Sequence, residues 1–132
     1  LRDRFAIAPV AHLATVGAGG EPRVVPCCFA VDGDVLYTAV DDVKAKSTLD
    51  LRRVADIRER PTVALVVDHY DDDWSQLWWV RARGDAHVVT DGEERIRALA
   101  LLAEKYPQYR AQPPPGAVIA VTITEWRSWS AS

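Results

Sequence analysis

Only three lysines occur in the 132 residues of this chain, and two of them, Lys44 and Lys46, lie just ahead of Arg52 and Arg53. Ser47 reads as a helix N-cap, followed by Leu51, Val54, Ala55 and Arg58 at helical spacing and by Pro61 as the stop. Cations at a helix start oppose the helix dipole, whereas the free backbone N–H groups there favour an anion. The cluster therefore reads as a local anion site. The alternative is a solvated turn paired with Asp41, Asp42 and Asp50. Cys27 and Cys28 are adjacent, so in a strand they point to opposite faces and a bridge between them would be strained. They read as small buried side chains, because the sequence shows no cation beside them to make either a nucleophile. His69 and Tyr70 are the proton-transfer candidates, with a structural hydrogen-bonding role as the plainer reading. The triplet Asp71-Asp72-Asp73 lacks the ligand alternation and glycine of a calcium loop.

Composition narrows the classes that could host such chemistry. Sixteen basic against 19 acidic residues give a net charge of −3, which offers nucleic acid no global attraction. No apolar run approaches the roughly 20 residues of a membrane span. Two cysteines and three scattered histidines give no structural zinc spacing, and free thiols suit a reducing cytoplasm. The chain opens on Leu1-Arg2-Asp3-Arg4-Phe5, without the layout of a secretory signal. Its length suits one domain spanning residues 1–132, since two cores would be marginal.

The elements that must hold these residues are mostly strands. Residues 10–16 form an apolar run ended by Gly17-Ala18-Gly19-Gly20, residues 22–31 are strongly β-forming, and Asp32-Gly33-Asp34 turns the chain into a strand over 35–40. This predicts a three-stranded meander over residues 10–40. Pro26 cannot donate to a ladder and so marks an edge, a bulge or a ligand-facing backbone. The helix over 47–60 comes next, then a strand over 62–67 that reads as buried on both faces. A polar corner leads to a long strand over 77–89, with Gly84 as a bulge. A second helix opens at Asp91-Gly92 and presents Ile96, Leu99, Ala100 and Ala103 as its apolar face. A final strand covers 118–126. Six strands and two helices predict a mainly β fold, a six-stranded antiparallel barrel. The glycine turn at 17–20 lacks the third glycine of a dinucleotide fingerprint and reads as a hairpin.

The run Pro22-Arg23-Val24-Val25-Pro26-Cys27-Cys28-Phe29, the segment from Asp41 to Lys46 and a helix ending in Arg60-Pro61 resemble the pyridoxamine 5′-phosphate oxidase-like superfamily. Residues 67–81, from Val67-Asp68-His69-Tyr70 through Trp74-Ser75 to Leu77-Trp78-Trp79-Val80-Arg81, are similar to an actinobacterial branch of F420-dependent enzymes. The resemblance covers essentially the whole chain. It implies a split β-barrel of the FMN-binding type, homodimeric, holding a flavin or deazaflavin at the subunit interface. The implied activity is hydride transfer between coenzyme F420 and an unsaturated small-molecule substrate. FMN is the alternative cofactor, and a non-catalytic flavin, deazaflavin or haem carrier the alternative role.

On that reading Lys44, Lys46, Ser47, Arg52 and Arg53 receive the cofactor's phosphate, and Val25, Pro26 and Cys27 lie along its ring. The family's helix carries an Asn where this chain has Asp56, which argues against a phosphate contact there, since two anions repel. Trp74 is the aromatic residue placed against the cofactor or closing the pocket across the dimer. Packing in core and interface is the plainer role for all three tryptophans. Trp78 and Trp79, being adjacent in a strand, cover both its faces, which a lone small barrel struggles to do and a homodimer does not.

Overall fold

The computed structural model describes residues 2–40 and 48–132. Strand β1 (Ala11–Val16) alternates buried and open positions, as period 2 requires. Its chain reverses through Gly17–Glu21, where Gly17 N–H donates to the Glu21 carbonyl (2.8 Å) and Gly20 takes a positive φ of 89° that favours glycine. β2 (Pro22–Cys27) then pairs antiparallel with β1.

Here the expected meander fails. β2 stops at Cys27, and β3 (Ala30–Asp32) resumes at the far edge of the sheet, hairpinned through Gly33 to β4 (Val35–Ala39). Between them Cys28 and Phe29 cross without ladder partners, and side chains take over their backbone groups. Thr38 Oγ1 donates to the Cys28 carbonyl (2.7 Å), and the Tyr106 hydroxyl accepts from Phe29 N–H (3.0 Å).

Three long strands fill the gap: β5 (Thr62–His69), β6 (Trp78–Val89) and β7 (Val118–Ser130). The described residues form one antiparallel sheet of seven strands, ordered β2-β1-β5-β6-β7-β4-β3, rather than six. β2 is an edge, as Pro26 predicts. β5 is not buried on both faces: Val63, Leu65 and Val67 are buried, whereas Ala64 and Val66 are half-covered. The bulge at Gly84 is present as a register shift, and a Cβ there would overlap the Thr122 carbonyl.

Among the described residues four α-helices replace the expected two. α1 (Arg2–Ile7) is only six residues long, too short to announce itself by periodicity, and it joins the core through Phe5, set between Phe29 and Trp126, each at 5.2 Å. α2 (Thr48–Glu59) lies on β1 and β6 and inserts Ile57 among Leu13, Val63 and Leu65. α3 (Gly92–Lys105) buries Ala98 and Leu102 instead of the predicted face, leaving Ile96 68% exposed. Its apolar residues nearly encircle the helix, so packing on Tyr37, Val118 and Ala120 decides which face turns inward. α4 (Pro107–Ala111) starts on Pro107, whose missing N–H costs nothing at that position.

Candidate functional site

Alternation on β2 sends Arg23, Val25 and Cys27 toward the core and leaves Val24 and Pro26 exposed. Burial pushes the Cys27 thiol up, outweighing a hydrogen bond with Thr38 and the positive charge of Arg53. Cations are thus close to this thiol after all, but desolvation wins and leaves it a poor nucleophile.

On α2, Arg52 is exposed and Arg53 is buried, 8% accessible, with Nε closed off from solvent. One turn on, Asp56 is buried as well. Both its oxygens accept from Arg23 Nη1 (2.8 and 2.7 Å), and Thr15 Oγ1 donates a third, longer bond (3.3 Å). Asp56 is therefore saturated by protein donors and has no part in holding an anion. Arg60 adds a second tie, donating to the Ala18 carbonyl in the β1–β2 turn (3.0 Å). With Asp56 at Arg23 and Arg53 acting on Cys27, α2 runs so that its N-terminus approaches the Cys27 end of β2. Lys44, Lys46 and Ser47 lie outside the described residues.

Trp74 is 69% exposed on a 3₁₀ turn, Trp74–Gln76, and its Nε1 donates to the Tyr70 hydroxyl (3.5 Å). Asp73 builds the turn by accepting from Ser75 N (3.1 Å) and Ser75 Oγ (2.7 Å), and these bonds hold its carboxyl below the usual range. His69 stacks on Trp78 (5.9 Å, 18°), and the Arg4 guanidinium lies 5.3 Å from the same ring. Together with Val10, His12 and Asp68 they line an open pocket of ≈ 560 Å³. The predicted residues thus fall into two groups: Val25, Cys27 and Arg53 share the inner face, while Trp74 stands apart on its turn. Among the described residues no three His, Cys, Asp or Glu side chains converge as metal ligands.

Two residues without any sequence signal stand beside this wall. Lys105 donates to the Ala6 carbonyl (2.9 Å) and lies 3.7 Å from the Phe29 ring centre; burial pushes its ammonium down to about 8. Burial pushes the Tyr106 hydroxyl up to about 12, while it donates to the Pro9 carbonyl (2.8 Å). The partners of both are distant in sequence.

The comparisons with known proteins decide the family. The family model described as pyridoxamine 5′-phosphate oxidase matches residues 1–130. The chain belongs to the pyridoxamine 5′-phosphate oxidase family. No curated protein sequence matches it. Among solved structures, a conserved hypothetical protein of Mycobacterium tuberculosis aligns with a TM-score of 0.78 at 20% identity, covering 98% of this chain and 81% of that one. The haem storage protein HutZ of Vibrio cholerae aligns with a TM-score of 0.71 at 16% identity, covering 92% and 85%. An F420 reductase aligns with a TM-score of 0.69 at 26% identity, covering 95% and 94%. At their identities the first two share the fold alone. No helix among the described residues is long and apolar enough to cross a membrane.

Proposed function

We propose that this chain binds coenzyme F420, with FMN as the alternative, and transfers a hydride between it and an unsaturated small molecule such as an enone or imine. The observation that carries this reading is the similarity to an F420 reductase over nearly the full length of both chains. The residues present suit such a group. A phosphate-bearing coenzyme needs cations near a helix start, and Arg52 is exposed there with Arg53 behind it. A planar ring needs a flat wall, and edge strand β2 offers one without a ladder donor at Pro26.

In this reading Arg52, with Lys44, Lys46 and Ser47, receives the phosphate, and Arg53 adds positive charge from beneath. The edge backbone of β2 from Val25 through Pro26 to Cys27 forms the wall of the ring site, with Val25 and Cys27 facing the core and Pro26 facing outward. When bound, the deazaflavin supplies the hydride chemistry itself, so the protein's work is positioning and exclusion of water. Trp74 closes the site across a homodimer. Exposed Trp74 and Tyr70, which touch each other on the same turn, leave an aromatic surface there for a second subunit to cover.

Substituting Lys46→Ala or Arg52→Ala should weaken F420 binding by about 1.5–3 kcal/mol each, the worth of a charge-assisted contact. Unchanged affinity would return the cluster to a solvated turn. A haem carrier is the second reading, favoured by the pocket that sets His12 and His69 beside Trp78. It predicts a haem Soret shift that His69→Ala abolishes.

A further inference from the structure

A coenzyme with its ring on β2 and its phosphate at the start of α2 bridges two elements that share no backbone ladder. Such a ligand gains affinity from both contacts only when the two elements are held at a fixed separation, because the second contact then forms at high effective concentration. Arg23 and Asp56 join the two elements. Arg23 lies on the edge strand two residues before Val25, and Asp56 lies one turn after Arg52 and Arg53. One nitrogen, Arg23 Nη1, is shared between both carboxylate oxygens at 2.8 and 2.7 Å, the carboxylate is 7% exposed, and Thr15 Oγ1 donates to it from β1. A buried charge-assisted contact of this kind is shorter and stronger than a neutral hydrogen bond.

We infer that the Arg23–Asp56 pair is a positioning clamp that sets the spacing between ring wall and phosphate site without touching the coenzyme. The inference rests on the F420 reading above. Its effect falls on the linkage between two contacts and spares each contact taken singly.

The test compares coenzyme F420 with its phosphate-free deazaflavin headgroup, titrated into wild type, Asp56→Asn, Arg23→Gln and the conservative Arg23→Lys, each checked for folding by circular dichroism. The clamp predicts about tenfold weaker F420 binding in Asp56→Asn and Arg23→Gln, with headgroup affinity within about twofold of wild type. Arg23→Lys, which keeps a charged nitrogen able to meet both oxygens, should retain most of the F420 affinity and so separates loss of the tie from loss of the arginine itself. If Arg23→Gln does not fold, Asp56→Asn and Arg23→Lys carry the comparison. Equal losses for coenzyme and headgroup, or no loss for either, would overturn the clamp. A wild type that binds F420 no more tightly than the headgroup would instead overturn the phosphate reading of α2, and the clamp with it.

Discussion

Lys105 shows how a single residue can carry a prediction the sequence does not announce. Its ammonium is half-buried between the Ala6 carbonyl and the Phe29 ring, and its pKa falls from 10.5 to about 8. Between those values the unfolded chain holds the proton that the folded chain has lost, so this lysine's contribution to stability rises with pH from about 8 to 10.5. Cys27 and Tyr106 act in the opposite sense: their folded pKa values are raised, so their contributions fall as pH climbs past 9 and 10. Urea unfolding of wild type and Lys105→Met, compared at each pH, isolates the lysine. Wild type should gain on the variant across that window, and a constant difference would refute the burial of the charge. Asp56 makes a second residue-scale case. Asp56→Ala leaves Arg23 facing a half-buried gap and should cost about 3 kcal/mol in the same assay. The cationic cluster around Arg52 and Arg53 was legible in the sequence, whereas the inward turn of Arg53 and the capture of Asp56 were not. Arg23, the partner that captures Asp56, stands about 30 residues away along the chain.

At the scale of elements, local period and turn chemistry gave most of the strands close to their observed bounds. The apolar runs over 10–16 and 62–67, the turns at 17–20 and 33, and the bulge at Gly84 are all short-range features, and each returns as a strand, a turn or a bulge. What alternation cannot express is where a continuous β-forming run leaves one sheet edge for another. Residues 22–31 break at Cys28 because Thr38, ten positions on, and Tyr106, 77 positions from Phe29, take over the backbone bonds of the crossing. Tyr106→Phe should therefore cost about 2 kcal/mol and accelerate hydrogen exchange at the Phe29 amide, since the crossing keeps its buried N–H but loses its acceptor. An unchanged exchange rate would mean the hydroxyl is not what holds the break. The face of α3 misled for a related reason: its heptad carries too many apolar residues for spacing alone to choose among them. Gly84→Ala tests the β6–β7 fit directly. Its Cβ would collide with backbone that cannot retreat, and the expected loss is about 3 kcal/mol.

For the molecule as a whole, the outer sheet face shows the same incompleteness that adjacent Trp78 and Trp79 suggest. On that face Trp79 is only half-buried, its ladder partner Trp129 and Val24 are exposed, and Ala64 and Val66 are half-covered, whereas Trp78 turns to the core side. Sedimentation velocity should find a dimer, and Val24→Asp should shift it toward monomer; a wild-type monomer at all concentrations would remove the second subunit from the account. Fold and family were legible because the resemblance spans the chain, but the same barrel is found in a haem storage protein and an F420 reductase, so the fold does not choose the ligand. The direct measurement is a titration of the purified protein with F420 and, separately, with FMN, following tryptophan fluorescence. Saturable quenching by F420 at concentrations where FMN has little effect is the predicted result, and saturation by FMN with no response to F420 would contradict the proposed function.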